Sequence, residues 1–200
     1  MDVVLVHGLI GSAGWWDRVV PTLAARHAVR AVDLPRREPE KWLEQLVVDL
    51  DRPALVGHSL GALYAARVAS RSPVGALVLV APAGLPPARG VLRLGPPLVS
   101  ALRLAGPAFL PSVGRNLLRY RPRSFVAGAR LALGGGLDLS EVQAPVLVVW
   151  GERDRVCPAR PVDARSVTVR GAGHVPMWER PEALAKLLLD FLEEVEGQAR

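Results

Sequence analysis

The run Ala54-Leu55-Val56-Gly57-His58-Ser59-Leu60-Gly61 constrains the fold more than any other stretch, because an apolar strand-like segment gives way there at once to a helix-forming one. A serine at such a turn holds a strained backbone. Side chains two residues before and after it would collide, and glycine at 57 and 61 removes both collisions. The same geometry lifts Ser59 Oγ out of a sheet and presents it as a candidate nucleophile. G-x-S-x-G recurs by chance in Gly-rich and Ser-rich chains, so its weight depends on whether a histidine and an acid lie downstream of it.

A serine hydroxyl is a poor nucleophile until an imidazole takes its proton, and that imidazole needs a carboxylate on its far nitrogen to fix the tautomer. Both residue types occur in the order serine, acid, histidine. The buried-strand run Pro145 to Trp150 ends in Gly151-Glu152-Arg153-Asp154, which places Asp154 just beyond the strand. Ser166 to Val169 then runs into Gly171-Ala172-Gly173-His174. Ser59, Asp154 and His174 therefore lie beyond the carboxyl ends of three strands, where open parallel sheets bind ligands. Glu152 and Asp163 are rival acids. His58 adjoins Ser59, but neighbours on a tight turn point apart, which favours His174 as the base. An oxyanion needs two backbone donors: one from Leu60, after the serine, and one from the loop His7-Gly8-Leu9-Ile10-Gly11 that comes after Val3 to Val6, with Leu9 as candidate.

With motifs at 3–11, 54–61, 145–154 and 166–174 in this order, the chain resembles the α/β-hydrolase family in a compact form. The resemblance implies an α/β fold with a mostly parallel, doubly wound sheet of about six strands. Members usually carry two further strands ahead of the His-Gly strand, where this chain opens directly, so the sheet is expected to be smaller by an edge hairpin. The Gly-rich turn that usually comes after the next strand is replaced by Arg36-Arg37-Glu38. For site residues the resemblance implies Ser59 as nucleophile, His174 as base and then acid, Asp154 at the Gly-x-x-Asp position, and oxyanion donors at Leu9 and Leu60. Serine at 59 argues against the branches that use a carboxylate nucleophile.

Two hundred residues, half hydrophobic and 22% charged, suit one globular core. No run approaches the roughly 18 apolar residues of a membrane span, and no signal-peptide pattern opens the chain. A single cysteine, Cys157, makes no internal disulfide, and we expect a cytoplasmic protein. With four scattered histidines and no H-E-x-x-H or paired C-x-x-C, we expect no metal and no cofactor.

Strand and helix patterns alternate over 1–84 and 141–200, the expected core. A helix is expected around Trp16 to Leu23, shortened by Pro21, and another from Pro39 with Trp42, Leu43, Leu46, Val47 and Leu50 on one face. The clearest helix starts at Pro181 and spaces Leu184, Leu187, Leu188, Phe191, Leu192 and Val195 on one side. Residues 85–140 break the alternation with prolines and the triple glycine 134–136, and read as a small helical lid insertion. Its apolar residues Leu92, Leu94, Leu98, Val99, Leu102, Leu104, Phe109 and Leu110 could line an acyl pocket, although docking on the core suits most of them.

The lid holds eight arginines against one acid, Asp138, and so carries about +7 while the rest of the chain is near −1, which makes the net +6 a property of the lid. A solvated helix face explains this most simply. Recognition of an anionic substrate or of an acidic partner such as an acyl carrier protein is the alternative. No helix-turn-helix, zinc or stacking pattern speaks for nucleic acid.

Among the remaining candidates, His7 reads as fixing its loop, His27 as a surface residue and Cys157 as packing. Trp15, Trp16 and Trp178 divide between site wall and core. The expected activity is hydrolysis of a small or medium carboxylic ester or thioester through an acyl-enzyme. The alternatives are carbon–carbon bond hydrolysis or lyase chemistry with the same triad, or a non-catalytic interaction protein on the same scaffold.

Overall fold

The computed structural model describes residues 1–35, 37–85, 105–119 and 122–198. In chain order it runs β1 (Asp2–Val6), a 3-10 turn (Ala13–Trp16), α1 (Val20–Ala24), β2 (Ala28–Val32), α2 (Pro39–Val48), β3 (Ala54–His58), α3 (Leu60–Ala69) and β4 (Ala76–Val80). A 3-10 turn (Pro107–Phe109) then leads into α4 (Leu110–Arg119) and α5 (Pro122–Leu133). The chain returns to the core as β5 (Val146–Gly151), β6 (Arg165–Val169), α6 (Pro176–Glu179) and α7 (Pro181–Gln198).

Among the described residues six strands form one sheet in the order β2-β1-β3-β4-β5-β6, and every neighbouring pair is parallel. Alternate residues of each central strand face opposite layers. Val3, Leu5, Val56 and Val78 share one core with Leu23, Leu184 and Leu188, while Val4, Leu55 and Leu77 share the other with Leu43, Val47 and Ala66. β3 and β4 are buried throughout, as a parallel strand covered on both faces must be. The edge strands β2 and β6 are largely exposed or half-buried.

The expected helices form, with two local differences. Trp42 is 39% exposed instead of joining the buried stripe of Leu43 and Val47, since it precedes Leu43 by one residue and so turns about 100° away from it. His27, expected at the surface, is 7% exposed, with its Nδ1 3.6 Å from Glu196 Oε1 of α7.

Of the segment 85–140, residues 86–104, 120 and 121 lie outside the described residues. Those include Leu92, Leu94, Leu98, Val99, Leu102 and Leu104, and the arginines at 89, 93, 103 and 121. Phe109 is buried and Leu110 is half exposed. Arg115, Arg123 and Arg130 are exposed. On α4, Val113 and Asn116 face inward while Leu118 is 90% exposed. The Trp15 indole donates to Ser112 Oγ at 3.0 Å and joins α4 to the core. No described helix is long and apolar enough to cross a membrane.

Candidate active site

Ser59 sits between the end of β3 and the start of α3 with φ 52° and ψ −117°, a backbone conformation that L-residues rarely hold. Its own main chain is anchored. The amide donates to Val80 O at 2.9 Å, and the carbonyl accepts from Ala62 N at 3.0 Å and Ala83 N at 3.1 Å. Both flanking glycines are required by their neighbours. A Cβ on Gly57 would stand 2.5 Å from Ala62 Cα, and one on Gly61 would run into the His7 carbonyl at the end of β1. The obstacles are thus the backbone of α3 and of the loop after β1.

The loops after β5 and β6 bring two more polar side chains to the same place. His174 Nε2 lies 3.2 Å from Ser59 Oγ, and His174 Nδ1 lies 2.9 Å from Asp154 Oδ2. Because an ionised carboxylate only accepts, Nδ1 carries the proton and Nε2 is left as an acceptor for the serine hydroxyl. Asp154 has no exposed side chain, and its other oxygen accepts from the amides of Val156 at 2.8 Å and Cys157 at 2.9 Å. Both carboxylate oxygens are therefore fixed. Burial alone would push the His174 pKa down. The Asp154 charge, its hydrogen bond and the charge of Glu179 outweigh burial and hold it above the ordinary histidine value.

Two carboxylates brace the His174 loop. Glu152, a rival acid by sequence, accepts from Gly171 N at 2.7 Å, and Glu179 accepts from the amides of Gly173 and Val175 on either side of His174. Burial raises the Glu179 pKa above the ordinary carboxylate value against those two bonds. Composition and motif gave no warning of Glu179. The signal was an acid in the first turn of the proline-started helix Pro176–Glu179, placed to reach back to amides ahead of it, as capping acids do.

Other aromatic and ring groups close the site from below. His58 is buried, and its Nε2–H donates to the His174 carbonyl at 2.7 Å, while the two rings stand 5.0 Å apart. Burial, reinforced by the charge His174 would carry, holds the His58 pKa well below the ordinary value. His7 donates from Nδ1 to Gly8 O at 2.8 Å and accepts at Nε2 from Leu34 N at 3.1 Å, which ties the loop after β1 to the chain after β2. Trp16 belongs to the core. Trp15 packs 5.9 Å from His58 and 4.9 Å from Phe109, which in turn meets the edge of Trp178. Burial together with the charge of Asp154 pushes the Cys157 thiol pKa up, so it stays neutral.

Leu60 opens α3, where the first amides have no acceptor within the helix. Gly8, the residue before Leu9, packs so closely that a Cβ on it would stand 2.9 Å from Ser59 Cβ. From the other side Gly128 of α5 rests on both: a Cβ there would be 2.7 Å from Leu9 Cδ1 and 3.3 Å from Leu60 Cδ2. Beyond Leu9 and Leu60 opens a cleft of about 480 Å³, walled by Leu34, Pro35 and Pro39 on the core side and by α4 and α5 on the other. Among the described residues no cluster of His, Cys, Asp and Glu could hold a metal ion. Chemically, the arrangement offers a hydroxyl beside an imidazole acceptor and a buried carboxylate behind that imidazole.

Comparison with known proteins gives one consistent picture. Residues 3–187 match the model of the alpha/beta hydrolase family. The chain is 30% identical to the dihydrolipoyllysine-residue acetyltransferase component of the acetoin cleaving system of Pseudomonas putida, over 95% of this chain and 63% of that protein. It is 28% identical to the pimeloyl-[acyl-carrier protein] methyl ester esterase of Neisseria meningitidis, over 96% of this chain and 94% of that one. Among solved structures, a bacterial membrane phospholipase A superposes with a TM-score of 0.71 at 26% identity, covering 98% of this chain and 79% of the other.

Proposed function

The chain belongs to the alpha/beta hydrolase family, and from that premise we propose that it is a serine hydrolase cleaving a small or medium carboxylic ester or thioester through an acyl-enzyme. The observation that carries this reading is the continuous chain Ser59 Oγ, His174 and Asp154, with contacts of 3.2 and 2.9 Å and the imidazole in the tautomer that can accept a proton. The esterase relative supports ester chemistry.

In this mechanism Ser59 Oγ attacks the carbonyl carbon as its proton passes to His174 Nε2. The carbonyl π electrons move onto oxygen, and the amides of Leu9 and Leu60 donate to that oxyanion. Asp154 stabilises the imidazolium. Collapse of the tetrahedral intermediate expels the alcohol or thiol, which takes the proton from His174 and leaves an ester on Ser59. A water then repeats the sequence with His174 as base and frees the acid. Residues 85–140 act as a lid on the core formed by 1–84 and 141–200, a role supported by the Gly128 contact with Leu9 and Leu60.

The test is hydrolysis of 4-nitrophenyl esters and acyl thioesters of graded length by wild type and Ser59→Ala. Turnover in the wild type that falls by roughly 10³-fold or more in the variant is expected. Turnover that survives Ser59→Ala sinks the serine mechanism.

A further inference from the structure

The cleft beyond the oxyanion residues is not uniform, and its chemistry narrows the substrate. Part of its wall is aliphatic, made by Leu9 and Leu60 with Ala127, Gly128 and Leu131 of α5. Its remaining wall turns polar, with Arg123 of α5 and Asn116 of α4. Asn116 is 5% exposed and held by a 3.4 Å hydrogen bond to Ser12 Oγ.

Which half of a substrate enters is decided by the chemistry. The leaving group must take its proton from His174 Nε2 and so lies on the His174 side. The cleft is lined by Leu9 and Leu60, the proposed oxyanion donors, and by neither Ser59 nor His174, so it lies on the oxyanion side of the nucleophile, and the acyl half is assigned to it.

Arg123 is the cation in that cleft, and among the described residues it has no ion-pair partner. The one acid of the segment, Asp138, turns its carboxylate to the Ser140 amide at 3.0 Å. The cleft's own carboxylate, Asp33, accepts from Ala13 N at 2.8 Å and stands 3.9 Å from His7 Nε2. An anion is repelled from the Asp33 wall and drawn to the Arg123 wall, where the planar guanidinium matches a carboxylate in two-point fashion. We propose that the acyl group this enzyme accepts ends in a carboxylate, bound by Arg123 on the α4–α5 side of the cleft that opens beyond Leu9 and Leu60. The inference rests on the serine-hydrolase reading for the placement of the acyl half.

The experiment compares 4-nitrophenyl hydrogen glutarate with 4-nitrophenyl pentanoate, two esters of equal chain length that differ in the terminal carboxylate. The readout is the ratio of their kcat/KM values. Wild type favours the glutarate half-ester. Arg123→Gln lowers the ratio about tenfold through KM, Arg123→Lys falls between, and raising NaCl to about 0.5 M lowers the wild-type ratio. Arg26→Gln, at the opposite end of the sheet, keeps the ratio. A ratio that Arg123→Gln leaves untouched overturns the proposal.

Calorimetric binding of the same half-ester to Ser59→Ala decides the question without turnover, because binding should weaken about tenfold when Arg123→Gln is added. Equal binding by the single and double variants overturns the carboxylate site. Absence of Ser59-dependent hydrolysis of both esters, with binding still sensitive to Arg123, overturns the hydrolase reading alone.

Discussion

The buried imidazole of His58 donates its Nε2–H to the backbone carbonyl of His174 at 2.7 Å, so the residue beside the candidate nucleophile holds the loop that carries the candidate base. His58→Leu removes the donor and leaves that carbonyl unpaired. We expect kcat to fall roughly 10- to 100-fold with KM little changed, since the loss is one of alignment. Unfolding in urea should show a stability loss of about 1–3 kcal/mol. Wild-type kcat in the variant would remove His58 from any positioning role.

If His174 is the general base of the proposed mechanism, its raised pKa should set the acid limb of the activity profile. Its imidazole must be neutral to accept the Ser59 proton, so kcat/KM should climb with pH through an inflection above about 6.5. Asp154→Asn removes the carboxylate that holds the pKa up. The inflection should shift downward while kcat drops by about 10³- to 10⁴-fold. An unchanged inflection in that variant would show that another group governs the limb.

Folding stability should fall on acidification, and the sign is set by three other histidines. Burial lowers the pKa of His7 and His27 and lowers that of His58 strongly. Below about pH 6.5 the unfolded chain binds protons that these buried rings do not, which favours unfolding as pH drops. His174 works the other way: its contribution is complete below its unfolded pKa and disappears as pH rises through its higher folded value. Glu179, whose pKa burial raises, works in the same direction as His174, so three groups oppose two, with the His58 shift the strong one. Thermal midpoints at pH 5 should therefore lie below those at pH 7.5, and His58→Leu should flatten the difference.

Glycine substitutions around Ser59 should separate two kinds of constraint. Gly57→Ala and Gly61→Ala drive a methyl into backbone, and each is expected to cost more than about 3 kcal/mol, read as lost soluble yield or a lowered denaturation midpoint. Gly128→Ala meets only the ends of Leu9 and Leu60, and alanine favours the helix by about 0.5–1 kcal/mol. It should keep or raise stability while reducing kcat/KM several-fold. Full activity in Gly128→Ala would break the proposed link between α5 and the proposed oxyanion donors Leu9 and Leu60.

The core was legible in sequence because its constraints are local. Val3 to Val6, Ala54 to Val56 and Val146 to Val149 are continuous apolar runs, and each ends in a loop whose polar residue is set by the strand before it. Ser59, Asp154 and His174 could thus be placed by counting from strand ends. What was missed depends on contacts between distant segments. The Glu179 carboxylate under the His174 loop, the His58 bond to its carbonyl, and the burial of His27 under α7 leave no periodic trace. Hydrophobicity places Trp42 with the buried face, although its helical angle points it outward. In 85–140, arginines and prolines break the apolar period, so composition described that segment better than pattern did.

β3, which delivers Ser59, and β6, which delivers the loop of His174, are separated in the sheet by β4 and β5. The 3.2 Å contact between the two side chains therefore exists only after four parallel strands have registered, pairings that close long loops and form slowly. Each helix can gain its spectroscopic signal before that point. On refolding from denaturant, ellipticity should return first and esterase turnover last, so the enzyme's own reaction would serve as a clock for completion of the sheet.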